Sequence, residues 1–245
     1  MRYLMTFSYD GSKYNGYQKQ PKKLTIQEVL EDKLKQLNSN KKVTIHSSGR
    51  TDKGVHAINQ KAHFDLDKKI DTNRLKHSLN KMMELDGSIY IKQIEEANSE
   101  FHARFDVKEK TYIYKINIGE YNPIEKDYVY QYNKELDIDK MKKASKYLIG
   151  KHDFSSFTKD SKEYETCIRE IYLIDIVKND DIVTLKFIGN GFLRYMVRNI
   201  TGTLVDIGSS KIKESDIEKI LSSKDRRKAG KTAPACGLYL YNVKY

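Results

Sequence analysis

The 245-residue chain is long enough to bury a sizeable core, either as one large domain or as two of ordinary size. Its 45 basic residues against 34 acidic ones give a formal net charge of +11, which favours an anionic partner such as nucleic acid. Only two cysteines, Cys167 and Cys236, are present, too few for a disulfide framework or a cysteine-based zinc site. No stretch is apolar enough to span a membrane, and residues 1–5 have strand character rather than that of a signal peptide. We therefore expect a soluble, cytoplasmic protein.

The first hundred residues predict four strands and two helices, because alternating apolar residues indicate strands and apolar residues three or four apart indicate helices. Thr25 and Glu28 form a capping box for the first helix, and Asp71 or Thr72 caps the second. This order is typical of an α+β fold with helices on one face of a largely antiparallel sheet. The predicted strands cover residues 2–9, 62–66 and 88–94, with residues 43–45 as the end of a further strand. The first helix has its apolar residues at Ile26, Val29, Leu30, Leu34 and Leu37, and the second at Leu75, Leu79, Met82 and Met83.

The second half of the chain opens with a predicted strand over residues 111–118, which places Tyr112 and Tyr114 on one face. A helix over residues 137–148 is expected to end at Gly150. A helix over residues 192–207 would carry Arg194 and Arg198 four residues apart, where like charges repel unless an anion or carboxylate lies nearby. The remaining predictions are a hairpin of residues 168–177 and 182–188, a short helix over 215–221 and a final strand over 238–243.

Residues 47–56 form a polar loop between two predicted strands and are the strongest candidate for a functional site. Gly49 and Gly54 bracket Arg50, Thr51 and Asp52, and glycines so placed permit a positive φ and close approach by a partner. From this pattern alone, an ordinary surface turn in which Asp52 pairs with Arg50 remains an open alternative.

The residue types in this loop exclude several kinds of chemistry. Asp52 and His56 lie four apart in a glycine-broken loop rather than on a helix face, so we expect no metal site. A glycosidase would need a second carboxyl group, and a phosphate-binding glycine loop is absent. A single carboxylate in a basic and aromatic setting remains, and it can act as a nucleophile or as a base. On a nucleic acid, such chemistry requires the target base to leave its stack, with an aromatic side chain replacing the lost stacking.

The segment from Gly49 to Ala57, GRTDKGVHA, closely resembles the G-R-T-D-x-G-V-H-A signature of the TruA family of tRNA pseudouridine synthases. Further blocks match this family in the same order and span nearly the whole chain. They are YDGS at 9–12, GYQ at 16–18, FHAR at 101–104, KTYIY at 110–114, HDF at 152–154, GFL at 191–193 with MVR at 196–198, GTL at 202–204, and TAPA at 232–235 with GL at 237–238.

The resemblance implies an isomerase that converts uridine to pseudouridine at positions 38, 39 and/or 40 in the anticodon stem-loop of tRNA, without a metal or a cofactor. Asp52 matches the catalytic aspartate, which attacks the base or the sugar or removes a sugar proton. Tyr112 matches the tyrosine that stacks on the target base, and Arg198 matches the arginine that pairs with the aspartate. Arg50 matches the residue that holds the flipped nucleotide open. Tyr17 and Leu238 match further substrate-binding positions.

The resemblance also implies a homodimer and a pseudouridine synthase fold. This fold would have two similar α+β halves, residues 1–105 and 106–245, whose largely antiparallel sheets join across a basic cleft. Two positions depart from the family pattern, because Tyr17 stands where Trp is frequent and Lys110 where Arg is frequent, and these departures bear on target range.

Other interpretations of the same residues stay open at this level. Tyr112 has the alternation of an ordinary sheet residue, and Arg198 could be a helix arginine that extends to solvent. His56, His102 and His152 are interpreted as loop and packing residues. A non-catalytic protein that binds or helps to fold tRNA would use the same basic surface and would be indifferent to Asp52.

Overall fold

The computed structural model describes all 245 residues, Met1–Tyr245, as an α+β protein in which antiparallel strand pairs predominate. The chain divides into two compact units. Unit 1 comprises Met1–Lys108 and Tyr239–Tyr245, and unit 2 comprises Glu109–Leu238. None of the helices has both the length and the apolar character that crossing a membrane would require.

Ten strands and five α-helices follow one another along the chain. Unit 1 begins with β1 (Arg2–Tyr9), α1 (Ile26–Leu37), β2 (His46–Ser47), β3 (His56–Asp65), α2 (Thr72–Met83) and β4 (Ile89–Glu96). The remaining elements are β5 (Glu109–Asn117), β6 (Tyr130–Gln131), α3 (Ile138–Lys146), β7 (Gly150–Asp153), β8 (Ile168–Asn179), β9 (Ile182–Gly189), α4 (Met196–Gly208), α5 (Asp216–Ser223) and β10 (Leu238–Lys244).

Unit 1 is built on a sheet in which β1 lies between β4 and β3 and pairs antiparallel with both. The last strand, β10, returns to this unit and pairs in parallel with β3, with Tyr239 opposite His56. Helix α1 buries Ile26, Leu30 and Leu34, and its neighbour α2 buries a matching apolar stripe. The sheet contributes the large core side chains Tyr3, Met5, Phe7 and Phe64.

Unit 2 contains a meander in which β5, β9, β8 and β7 pair antiparallel in that order, and β6 adds to β5 in parallel. In strand β5 the predicted face of Tyr112, Tyr114 and Ile116 is buried; on the other face Lys115 is exposed, but Thr111 and Asn117 are buried as well. Helix α4 is buried along most of its length and packs against α3. Because α4 is buried, its packing determines the position of Arg198 in its first turn.

Apart from residues 43–45, the predicted strands and helices occur in the predicted order, whereas β6 and β7 were not predicted; Asp71 caps α2 by accepting a hydrogen bond from the Arg74 N–H. The capping box at Thr25 is wrong. Its side chain makes no capping bond, and the carbonyls of Gly16 and Tyr17 accept instead from the first two N–H groups of α1, those of Ile26 and Gln27. Glu28 instead lies 3.6 Å from the Lys19 ammonium.

The predicted strand over residues 43–45 is also wrong. Val43 and Ile45 are buried at alternate positions, but the Ile45 N–H donates to the Glu31 carboxylate at 3.2 Å rather than to a strand. Pairing with β3 starts only at His46. Helix α3 ends at Lys146, so Gly150, with a φ of +104°, opens β7 instead of closing the helix.

The helix predicted over residues 192–207 begins only at Met196. Tyr195 adopts a left-handed conformation, with a φ of +64°, and this conformation separates Phe192, Leu193 and Arg194 from α4. The prediction that Arg194 and Arg198 share a helix face is therefore wrong. Arg194 instead has the Glu163 carboxylate 3.8 Å away, which supplies the expected opposite charge.

Candidate active site

The loop that carries Asp52 spans residues 48–55 of unit 1, between the end of β2 and the start of β3. Its far end is a tight turn in which the Val55 N–H donates to the Asp52 carbonyl at 3.2 Å, and Gly54 has a φ of +78°. This positive φ matches the role predicted for Gly54. Gly49 does not adopt a positive φ, so that part of the prediction is wrong. Asp52 is partly exposed at the surface of the loop, and Arg50 is exposed.

The segment around Gly16 lies directly beneath this loop. Gly16 has a φ of +92°, and a Cβ atom there would lie 3.0 Å from the Thr51 carbonyl oxygen and 3.2 Å from the Lys53 nitrogen. The neighbouring Tyr17 N–H donates to the same Thr51 carbonyl at 3.1 Å. Only a glycine therefore allows the two backbones to approach this closely.

Tyr17, predicted to bind substrate, has only 2% of its surface exposed and packs beside Tyr9, with 6.4 Å between ring centroids. Burial raises the pKa of the Tyr17 phenol above its ordinary value, so this side chain stays neutral. The structure thus places Tyr17 among the residues that support the loop.

His56 closes the loop as a buried residue, as the sequence interpretation predicts for a packing histidine. Its ring stacks on Tyr239 at 4.8 Å, and its Nδ1 accepts the Gly11 N–H at 3.1 Å and lies 3.2 Å from an Asp10 carboxylate oxygen. This arrangement fastens the first residue of β3 to the turn that follows β1.

Tyr112 and Lys110 lie on β5 in unit 2, where Tyr112 stands opposite Phe187 in β9. About 8% of Tyr112 is exposed, and its ring meets the edge of Phe192 with centroids 5.2 Å apart. Such edge-to-face contact restrains a ring. Tyr112 is therefore a buried residue whose ring orientation is restrained by Phe192.

Arg198 lies in the first turn of α4 and is held from two sides. Its Nε–H donates to the Ala233 carbonyl at 2.8 Å, and its guanidinium lies 4.9 Å from the ring centroid of Tyr195. Two further cations approach the same ring, Arg194 at 5.4 Å and Lys159 at 5.8 Å. A tyrosine at positive φ is strained, and such strain concentrates at functional sites. No sequence pattern signals this conformation, so Tyr195 could not be identified in advance.

The basic segment over residues 224–231 is more ordered than a solvated charge run. Arg226 donates to the carbonyls of Ala229 and Gly230 at 3.3 and 3.0 Å, and to the side chains of Asn199 and Thr232, each at 2.9 Å. Because Asn199 is buried on α4 directly after Arg198, Arg226 fastens this segment to the helix. Leu238, predicted to bind substrate, starts β10 and is 6% exposed.

Unit 1 thus places Arg50 and Asp52 on one loop with Tyr17 beneath it, and unit 2 holds Tyr112 on β5 and Arg198 on α4. Histidine, cysteine and acidic side chains form no group of three that could hold a metal ion. The loop offers a single carboxylate on a hydrogen-bonded backbone, which suits proton transfer or nucleophilic attack.

Comparison with known proteins identifies relatives over the whole chain. A family model described as tRNA pseudouridine synthase matches residues 5–106 and again residues 144–245. The chain is 44% identical over 243 residues to tRNA pseudouridine synthase A of Caldicellulosiruptor bescii, covering 99% of this chain and 98% of that protein. It is 42% identical over 247 residues to the protein of the same name from Bacillus subtilis, covering 100% and 99% of the two chains. With tRNA pseudouridine synthase A 2 of Clostridium tetani the identity is 45% over 240 residues, which cover 97% and 96%. The chain belongs to the tRNA pseudouridine synthase family.

Proposed function

We propose that this protein is a tRNA pseudouridine synthase that isomerises uridines at positions 38, 39 and/or 40 of the anticodon stem-loop, using Asp52. The observation that carries the proposal is the backbone around Asp52, a single, partly exposed carboxylate. Gly16 packs closely against this backbone from below, and the positive φ of Gly54 forms the turn that follows Asp52. Full-length relatives named tRNA pseudouridine synthase A support the same reaction.

The reaction needs no oxidant or reductant, because uridine and pseudouridine have the same atoms. The bond between N1 and the ribose C1′ breaks, the base turns, and C5 bonds to C1′ while the proton on C5 leaves and N1 gains one. Asp52 starts this sequence by attack on the base, by attack on the sugar or by removal of a sugar proton, and each route fits a lone carboxylate. We propose that the reaction uses neither a metal nor a cofactor.

The remaining residues bind and orient the flipped nucleotide. Tyr112 stacks on the target base, and its near-perpendicular contact with Phe192 restrains the ring. Arg198 supplies the charge that balances Asp52, and its guanidinium is kept in one orientation by Ala233 and Tyr195. Arg50, exposed on the loop, holds the space that the nucleotide vacates.

Two further features belong to the proposal. The net charge of +11 favours binding of a folded RNA through its phosphates, and the cytoplasm is where such a substrate would be met. The protein is proposed to act as a homodimer, in which one tRNA contacts both subunits.

The proposal is tested by mapping pseudouridine in tRNA from a strain in which the chromosomal gene is deleted. The strain is complemented with a plasmid copy that encodes either the wild-type protein or Asp52→Asn. The amide is nearly isosteric with the carboxylate but is neither a nucleophile nor a base. We expect pseudouridine at one or more of positions 38–40 with the wild-type gene and none with Asp52→Asn.

Asp32→Asn is the matched control, because Asp32 is an exposed carboxylate on α1 of the same unit. This control should restore the modification fully. Restoration by Asp52→Asn would contradict the role of Asp52. Unmodified tRNA in cells with the wild-type gene would instead support a non-catalytic RNA-binding protein. The names of the relatives do not favour that alternative.

A further inference from the structure

A buried polar network lies beneath the loop that carries Asp52, and the proposed reaction does not use it directly. Its members are Tyr9 at the end of β1, Gln60 in β3, and Ser48 and Thr51 in the loop itself. Gln60 and Ser48 are 0% exposed, Tyr9 4% and Thr51 8%. Polar groups are rarely buried this completely unless each has a hydrogen-bond partner, so the contacts of the network indicate its purpose.

Gln60 uses its whole side-chain amide within this network. Its oxygen accepts from the Ser48 hydroxyl at 2.7 Å and from the Lys61 N–H at 3.1 Å. Its nitrogen donates to the Gly49 carbonyl at 3.0 Å and to the Tyr9 hydroxyl at 3.4 Å. Because the Gly49 carbonyl can only accept, the amide has one allowed orientation. Gln60 therefore fixes the first two residues of the loop.

Tyr9 extends the network to the residue next to Asp52. Its hydroxyl lies 2.8 Å from the Thr51 hydroxyl. Either hydroxyl can donate in this bond, and the Tyr9 oxygen also accepts from Gln60. Burial raises the pKa of Tyr9 to about 12, so its phenol stays protonated at neutral pH. On the opposite side, the Thr51 carbonyl accepts the Tyr17 N–H at 3.1 Å.

Thr51 is thus held by both its side chain and its backbone, and Asp52 follows it directly in the chain. We infer that Tyr9 is a positioning residue for Asp52, acting through its hydrogen bond to the Thr51 hydroxyl, with Gln60 orienting Tyr9. Asp52 must reach one atom of a flipped nucleotide, and a displacement of about 1 Å at a reacting group can cost roughly a hundredfold in rate. This inference rests on the proposed function.

The test uses Tyr9→Phe and Thr51→Val, which each remove one hydroxyl of the pair and retain the shape of the side chain. The measurements are the single-turnover rate of pseudouridine formation at saturating tRNA, the dissociation constant for tRNA, and the midpoint of thermal unfolding. We expect either variant to lower the rate by roughly 10- to 100-fold and to leave the dissociation constant nearly unchanged. Thr51→Ser, which keeps the hydroxyl, should restore most of the rate. The double variant should be no slower than the more impaired of the two single variants, because both substitutions break the same hydrogen bond.

Tyr3→Phe is the matched control for a purely structural effect. Tyr3 lies on the same strand, is 0% exposed, and its hydroxyl donates to the Ile70 carbonyl at 2.9 Å and accepts the Ile70 N–H at 2.8 Å. It should lower the unfolding midpoint as Tyr9→Phe does while keeping the wild-type rate. A wild-type rate in Tyr9→Phe, or an equal loss of rate in Tyr3→Phe, would overturn the inference. Absence of product with the wild-type protein would contradict the proposed function, and the inference with it.

Discussion

Replacing Gly202 with alanine tests how helix α4 is held against the segment that orients Arg198. Alanine within a helix is intrinsically favoured over glycine by about 1 kcal/mol, so helix propensity alone predicts stabilisation. The structure predicts the opposite, because a Cβ atom at Gly202 would lie 1.7 Å from the Lys231 carbonyl oxygen and 3.2 Å from the Ala233 nitrogen. Real Cβ atoms essentially never come closer than 3.0 Å, so the segment must move by at least about 1.3 Å.

The movement weakens contacts that follow directly from this packing. Overpacking costs about 1–3 kcal/mol. Displacement of Ala233 also weakens two hydrogen bonds. One is the 3.1 Å bond from the Ala233 N–H to the Arg198 carbonyl, and the other is the 2.8 Å bond from the Arg198 Nε–H to the Ala233 carbonyl. Hydrogen bonds of these kinds contribute about 1 kcal/mol and about 1.5–3 kcal/mol. If both bonds are lost, subtracting the gain in propensity leaves an expected net loss for Gly202→Ala of roughly 2.5–6 kcal/mol in the free energy of unfolding.

The assay is chemical denaturation of Gly202→Ala beside Gly191→Ala, with the rate of pseudouridine formation measured on the same samples. At Gly191 the nearest atom to an added Cβ is 3.8 Å away in the Arg169 side chain, an ordinary contact, so stability should change by less than about 0.5 kcal/mol. Gly202→Ala should also lose activity, because the carbonyl that holds Arg198 moves. A Gly202→Ala protein as stable as the wild type would refute the reasoning.

Three further predictions concern Arg198, binding and pH. Arg198→Lys removes the Nε–H that donates to the Ala233 carbonyl. Because a hydrogen bond to a charged group contributes about 1.5–3 kcal/mol, the single-turnover rate should fall about tenfold or more. An unchanged rate would count against the proposed role of Arg198. For about four phosphate contacts, affinity for the anticodon stem-loop should fall by roughly 50- to 150-fold between about 50 and 200 mM salt, and a flat response in a filter-binding titration would disagree. Burial, assisted by Arg2, His102 and His46, lowers the pKa of His63 to about 4, while Asp65 opposes this shift. The folded state therefore keeps His63 neutral, whereas the unfolded chain protonates it below about pH 6.5. The free energy of unfolding should consequently fall as the pH decreases from 6.5 towards 4. Denaturation of His63→Asn should show a smaller fall over this interval.

The sequence predicts the fold well wherever one face of an element is apolar. Strand β1 has the predicted boundaries, and helix α1 contains the apolar residues that predicted it, because a period of two or of three to four apolar residues leaves only one way to bury them. The boundaries that differ depend on single backbone conformations. Phe192 and Leu193 have helical spacing with the residues that follow, but the left-handed conformation of Tyr195 interrupts the helix. Gly150 has the positive φ expected of a helix end and uses it to start a strand.

The candidate site shows the same division. Asp52 could be proposed from the sequence because its loop is local in sequence and bracketed by glycines. Its support could not, because the bond between Tyr9 and Thr51 joins residues 42 positions apart, and the cap of α1 comes from carbonyls in the Gly16–Tyr17 segment. Tyr17 was expected at the binding surface and lies in the core, which no pattern of neighbouring residues could indicate. Long-range contacts of this kind are defined only by the folded chain.

The most direct test of the central claim follows the hydrogen on C5 of the target uridine. An anticodon stem-loop RNA with tritium at C5 of its uridines is mixed with purified protein, and the tritium released to water is counted, because formation of the C5–C1′ bond expels that hydrogen. The wild-type protein is predicted to release the label from each target uridine, whereas Asp52→Asn binds the RNA with unchanged affinity and releases none. Release by Asp52→Asn at the wild-type rate would contradict the assignment of Asp52 as the working carboxylate.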